Sequence, residues 1–244
     1  EALLSLPHRL ELYYYKGFSH YMLGEKAKSI ETFEQGIEVC DKDTEPSIIA
    51  TVYATIGNTY NELGKDDECY AAYDSALVYD PYNLEVLNNY SYFLSLDEED
   101  LQRALDMSKK TVEAEPENDT FLDTYAWILF KMERYEEAKA YAEKIISLGV
   151  ELSPVVLHHI GDIYAKCGDT EKAVLYWQKA RDAGDETKIL EKKIRKRKNE
   201  LHCSSFFLCH SSLVRRFFCH VYWPQWGHFI YRVRPVCMAM RTAL

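Results

Sequence analysis

The sequence predicts an all-α fold, a solenoid of helix-turn-helix repeats, and three observations carry that expectation. Apolar residues recur at helical spacing in short stretches, as with Tyr53, Ile56, Gly57 and Tyr60, and then Cys69, Tyr73 and Ala76. Glycine or proline closes the stretches, with Gly64 at a turn and Asp80-Pro81 as a stop. A small residue returns at one depth in each stretch. It is Gly17, Gly57, Ser91, Ala126 and Gly161 in the first helices, and Ser29, Cys69, Ala104, Ala138 and Ala173 in the second. Two helices need small side chains at their closest approach, because a bulky one holds the backbones apart.

The two small slots lie 12, 12, 13, 12 and 12 residues apart, and the first slot advances by 40, 34, 35 and 35. Residues 1–9 read as the end of a preceding helix cut at Pro7. Repeat one, 10–43, has an aromatic first helix (Tyr13, Tyr14, Tyr15, Phe18, Tyr21) and a second helix with the stripe Ile30, Phe33, Ile37. Residues 44–49, with Pro46, are expected to lengthen the link to repeat two, 50–83, which explains the 40-residue step. Repeat three, 84–118, carries Leu87, Tyr90 and Leu94, an acidic turn with one extra residue, then Ala104 and Pro116. Repeat four, 119–153, carries Leu122, Tyr125, Leu129 and Ala138, and Gly149 is placed to end its second helix in a left-handed cap. Repeat five, 154–187, carries Leu157, Ile160, Tyr164, Gly168, Trp177 and Ala180. Residues 188–201 (KILEKKIRKRKNEL) read as a basic capping helix, polar outside, over the open end of the last repeat.

A period near 34 with these slots resembles the tetratricopeptide repeat (TPR) family. The clearest copy matches at Tyr53, Ile56, Gly57, Tyr60, Gly64, Tyr73, Ala76 and Pro81, with Tyr53 where the family favours Trp and Cys69 where it favours Ala. The likeness covers about residues 10–187 and implies a right-handed α-solenoid whose first helices line a concave groove. It implies a non-catalytic scaffold for a partner protein or extended peptide. The groove positions it indicates are Tyr14, Phe18 and Tyr21; Asn58 and Asn61; Asn88, Asn89 and Tyr92; Asp123 and Trp127; His158 and Asp162. Asn can donate to and accept from a peptide backbone of any sequence, and Tyr and Trp give contact area with few rotors to freeze. The family variant that grips a C-terminal carboxylate is not expected. Asn58 and Asn89 are present, but the cationic slots hold Tyr, Thr and Asp123.

The runs Asn88–Tyr92, Leu122–Trp127 and His159–Tyr164, with Trp177, resemble bacterial cell-envelope TPR proteins of the Bacteroidetes type, which implies a periplasmic or membrane-anchored place; a cytoplasmic one is the alternative. Glu1 begins inside helical-looking sequence, so an upstream portion is expected. The rival function is a regulatory or substrate-presenting segment of a larger enzyme or sensor.

Charge and composition narrow the classes further. All 39 acidic residues lie in the first 200, where 24 basic residues leave a net −15; the rest carries five arginines. An acidic body argues against nucleic-acid binding. Cys40, Cys69 and Cys167 stand singly on helices and read as small buried residues. No phosphate loop or nucleophile motif is present. His158 and Asp162 share a helix face, but two ligands make a weak metal site, so no cofactor is expected.

Residues 202–244 contain no Asp, Glu or Lys but hold four Cys, four His and nine aromatics. They read as a non-native end, with a membrane-associated tail or a metal site from Cys203, Cys209, His210, Cys219 and His220 as alternatives. A spanning helix is not expected there, because Arg215-Arg216 breaks the best apolar run.

Overall fold

A computed structural model describes residues 9–98 and 100–197 of the 244. The expectations for residues 1–8 and for the tail fall outside the described residues. The chain divides into two compact units, 1–190 and 191–244. The described part of the second, 191–197, is helical.

Among the described residues of the first unit, ten helices follow one another as five antiparallel pairs, a further helical stretch begins at 188, and no strand occurs. The pairs are α1 (Leu10–Met22) with α2 (Lys26–Glu38), α3 (Pro46–Glu62) with α4 (Asp66–Tyr79), and α5 (Leu84–Asp97) with α6 (Leu101–Ala114). α7 (Asp119–Lys131) with α8 (Tyr135–Ser147) and α9 (Pro154–Lys166) with α10 (Thr170–Asp182) complete them. From α3 onward each first helix also packs on the second helix before it, and α1 packs on α3, α5 on α7 and α7 on α9. The first helices therefore form one layer and the second helices another, as an α-solenoid requires.

Helix ends follow local chemistry. Ser153 caps α9 through its hydroxyl, which accepts from the Val156 amide, and Pro154 supplies a preset first helical φ. Asn83 and Asn118 cap α5 and α7 in the same way. Gly149 takes φ +67 just past α8, the expected left-handed cap. Pro46 departs from the sequence reading. It starts α3, so residues 46–49 lengthen the helix to 17 residues and not the link before it. Within the pairs, the left-handed turn residue is Gly24, Gly64 and Gly168, but Glu98 and Asp100 in repeat three and Glu133 in repeat four.

All ten small slots are buried. The atoms that fill the first slot come from further along the second helix than its own small residue. A methyl group on Gly17 would lie 2.5 Å from the Phe33 ring, on Gly57 2.8 Å from the Tyr73 ring, and on Gly161 2.3 Å from the Trp177 indole. In each case the aromatic is 16 residues after the glycine. Volumes are complementary. In repeat four, where the slot is Ala126, the residue 16 further on is Ala142, and both are fully buried.

Repeats are also tied to each other. Asp74 of α4 accepts from Tyr90 of α5 at 3.3 Å and pairs with Arg103 of α6, whose guanidinium lies 4.7 Å above the Tyr90 ring. Of the three cysteines among the described residues, Cys69 is fully buried, while Cys40 and Cys167 are half-buried, so the reading of all three as small buried residues is corrected. Burial pushes the Cys69 thiol up to about 11.

Gly57→Leu is expected to cost about 1–3 kcal/mol or more, because the side chain must displace the Tyr73 ring from a full core. Denaturant unfolding of the variant checks this, and a midpoint equal to that of the parent protein would mean that the slot is not a close contact.

Candidate inter-repeat binding face

The face made by the first helices is where the sequence placed its candidates, and their surroundings differ along the unit. On α1, Tyr14, Phe18 and Tyr21 form a stack: Tyr14 and Phe18 are 6.2 Å apart at 19°, Phe18 and Tyr21 6.0 Å at 23°. Tyr14 leans inward on Phe33, Tyr21 donates to Glu62 on α3, and Phe18 remains 42% exposed. The Glu62 carboxylate also holds Lys26 at 2.8 Å, and these hydrogen bonds keep it below its ordinary value.

Further along, the face is polar. Asn89 on α5 donates to Asn58 on α3 at 3.5 Å and accepts from Asn88 at 3.4 Å. Asn58 also accepts the Tyr73 hydroxyl from α4. Asn58, Asn61 and Asn89 are half-buried, while Asn88 is buried and its side-chain oxygen, Oδ1, has no hydrogen-bond partner.

In repeats three to five the row closes. Asp123 is buried and accepts from His159 of α9, Nδ1 to Oδ2 2.8 Å. The His159 ring stacks on Trp127 at 3.9 Å and 16°, and Trp127 stacks in turn on Phe130 at 4.8 Å. Tyr92 sits 6.2 Å from His159, and burial, with the nearby Asp123 charge, raises its phenol. The second oxygen of Asp123 and the Trp127 indole nitrogen are buried without hydrogen-bond partners. The structure thus places Asn88, Asp123 and Trp127 in the wall behind the face, not on it. The expected His158–Asp162 neighbours are 3.8 Å apart, but each serves another group: His158 meets Asp185 at 2.7 Å, and Asp162 accepts the Trp177 indole N–H at 2.9 Å.

Two of these contacts obey one rule that the sequence reading missed. The aromatic that fills a glycine slot sends its polar tip to the residue just after that glycine: Tyr73 to Asn58, and Trp177 to Asp162. In repeat one the filler is Phe33, which has no polar tip, and the residue after Gly17 is Phe18. A buried hydroxyl or indole N–H needs an acceptor, so a recurring pair, polar residue and polar aromatic 15 apart, was the available signal. A second contact rule also recurs: Asn89 reaches Asn58 and His159 reaches Trp127, each from two residues before its own slot to one residue after the preceding one.

Among the described residues, no group of three or more His, Cys, Asp or Glu is arranged to hold a metal ion, and no helix is long and apolar enough to cross a membrane. The face offers contact area, amides and buried charge, the means of holding a polypeptide.

The profile of the tetratricopeptide repeat family matches residues 50–83, 121–148 and 155–180, the first of them with the limits expected for repeat two. The chain carries tetratricopeptide repeats. Among solved structures, PilF of Pseudomonas aeruginosa superposes with a TM-score of 0.65 at 18% identity, over 87% of this chain and 93% of that one. YrrB, described as a TPR protein with an unusual peptide-binding site, gives 0.60 at 18% identity over 80% and 96%. A thermophilic TPR protein of Thermus thermophilus gives 0.57 at 17% over 77% and 98%. These likenesses establish the TPR solenoid fold. No curated protein matches the sequence. TPR proteins are in general non-catalytic scaffolds for other proteins.

Two predictions test the geometry. Asn58→Ala is expected to cost about 1–3 kcal/mol by stranding the Tyr73 hydroxyl. Tyr73→Phe in the same chain should remove most of that cost, so the double-mutant cycle should show strong coupling. The second concerns Asp185. Burial opposes its ionisation, but hydrogen bonds from the Thr187 side chain and amide and from His158 prevail and hold it below the ordinary 3.8. A depressed carboxylate stabilises the folded state above its unfolded value and loses that contribution as pH falls through the folded one. Asp185→Asn should therefore be less stable than the parent near neutral pH, and the gap should close below pH 3.8. A gap of constant size across an acid titration of stability would exclude ionisation as its source.

Proposed function

We propose that the chain is a non-catalytic scaffold that holds an extended segment of a partner protein on the face formed by its first helices, the concave groove of the TPR superhelix. The observation that carries this is the stacked set Tyr14, Phe18 and Tyr21, left open at Phe18 and followed by the half-buried amides of Asn58, Asn61 and Asn89. Stacked rings exposed on a folded surface favour burial by something else. Amides beside them can pair with a backbone whatever its side chains. Tyr92, His158 and Asp162 extend the same row, with Asn88, Asp123 and Trp127 as its rigid back wall. The likeness of its runs to bacterial envelope proteins supports a place in envelope assembly.

The test must spare the residues that hold the core. Asn58 satisfies Tyr73, and Trp127 is 9% exposed, so neither belongs in it. Peptides are selected on the full chain from a displayed random library, and their affinity is measured for Phe18→Ala/Asn61→Ala/Asn89→Ala. A loss of about tenfold or more, roughly 1.4 kcal/mol, with helicity retained and the chain still folded at the assay temperature, is the expected result. Unchanged affinity would place the binding surface elsewhere.

A further inference from the structure

A second surface lies between α2, α3 and α4. It is a groove of about 490 Å³ with Ile37, Ile56, Tyr53 and Tyr60 among its lining and Ala71, Ala72 and Ser75 along its α4 wall. Three carboxylates border it: Glu34, Glu38 and Glu68. Lys65 answers Glu68 at 3.5 Å, but no ion pair reaches Glu34 or Glu38 among the described residues. These two stand one helical turn apart on the exposed side of α2, where like charges destabilise a helix.

The grooves of the last two repeats differ. One of about 410 Å³ has Lys179 beside Glu151 and Asp182, and one of about 340 Å³ has Lys172 beside Glu143. The groove at repeats one and two has no basic residue in its lining. Burial, then the charges of Glu34 and Glu68, raise the Tyr60 phenol, which agrees with a negative field over the floor.

The form of the occupant follows from the walls. Helices supply all three, and their backbone groups are spent within the helices. The Ser75 hydroxyl is spent too, on the Ala71 carbonyl at 2.9 Å. An extended peptide would find carboxylates and two phenols there, but no backbone edge to pair with its own. A helix satisfies its own, and the small α4 wall lets it approach closely.

We propose that this groove is a second docking surface, for an α-helix of a partner protein that carries an apolar stripe flanked by lysine or arginine. The surface is separate from the first-helix face and independent of the function proposed for it.

The probe is a capped Leu/Lys amphipathic peptide of about 18 residues, long enough to be helical, with a Leu/Glu peptide of the same pattern as control. Binding to the full chain is read by fluorescence anisotropy at an ionic strength of about 0.15 M. The Leu/Lys peptide should bind and the Leu/Glu peptide should not. Glu34→Gln/Glu38→Gln should weaken binding about tenfold or more, and so should Ala71→Trp, which fills the groove without changing charge. Glu113→Gln/Glu117→Gln, the same charge change on repeat three, should leave it within about twofold. Phe18→Ala/Asn61→Ala/Asn89→Ala should also leave it unchanged, so the two surfaces fail or succeed separately. No binding, equal losses in the two Glu double variants, or full binding to Ala71→Trp would overturn the proposal.

Discussion

Three of the five helix pairs depend on a backbone without a side chain meeting an aromatic ring. Gly17, Gly57 and Gly161 let Phe33, Tyr73 and Trp177 lie flush on the first helix of their own pair. A glycine inside a helix costs about 1 kcal/mol relative to alanine, and an aromatic side chain fully removed from water returns about 1.5–3 kcal/mol. The exchange is favourable only if the ring occupies the space, which is why the glycine and the aromatic occur together, 16 residues apart. Where Ala126 replaces glycine, Ala142 replaces the aromatic, and the pair closes with less volume on both sides.

The same contact determines the chemistry of the neighbouring face. A tyrosine or tryptophan seated against glycine carries a polar atom that must find a partner, and the nearest available side chain is the one following the glycine. Asn58 and Asp162 are acceptors for that reason first. Any role for them in holding a ligand uses the capacity left over. Asn58 illustrates this: its one carbonyl oxygen takes both the Tyr73 hydroxyl and the Asn89 amide.

The repeat architecture is legible in the sequence because small slots, turn residues and terminating prolines are local signals repeated along the chain. The small slots, Ala126 and Gly161 among them, are buried as that reading requires. Pro46 escapes that reading because a proline looks alike as a breaker and as the first residue of a helix. The candidate face is legible only as a set of positions. Their burial is not, since Asn88, Asp123 and Trp127 are enclosed by residues from other helices, and His159 is attached to Asp123 across 36 residues of sequence. Periodicity reports which side of a helix a residue lies on, not how far the next repeat covers it.

That difference in cover distinguishes α7 from α1 in packing. On α7 the whole run Phe121 to Leu129 except Tyr125 is buried, and His159 bonds to Asp123 and stacks on Trp127. On α1 only Leu10 and Gly17 are buried. In a solenoid stability is the sum of each repeat and its contacts with neighbours, so a repeat with little buried area yields first and adapts most readily. A groove must be held by a stiff part and must engage through an uncovered one. The aromatic stack of α1 and the unbalanced carboxylates of α2 lie together in the first repeat, on different sides of it, against the closed middle of the array. Under the proposed function, recognition falls where the packing leaves surface unspent, and the buried side chains of Asp123, Trp127 and His159 fix the helices behind it.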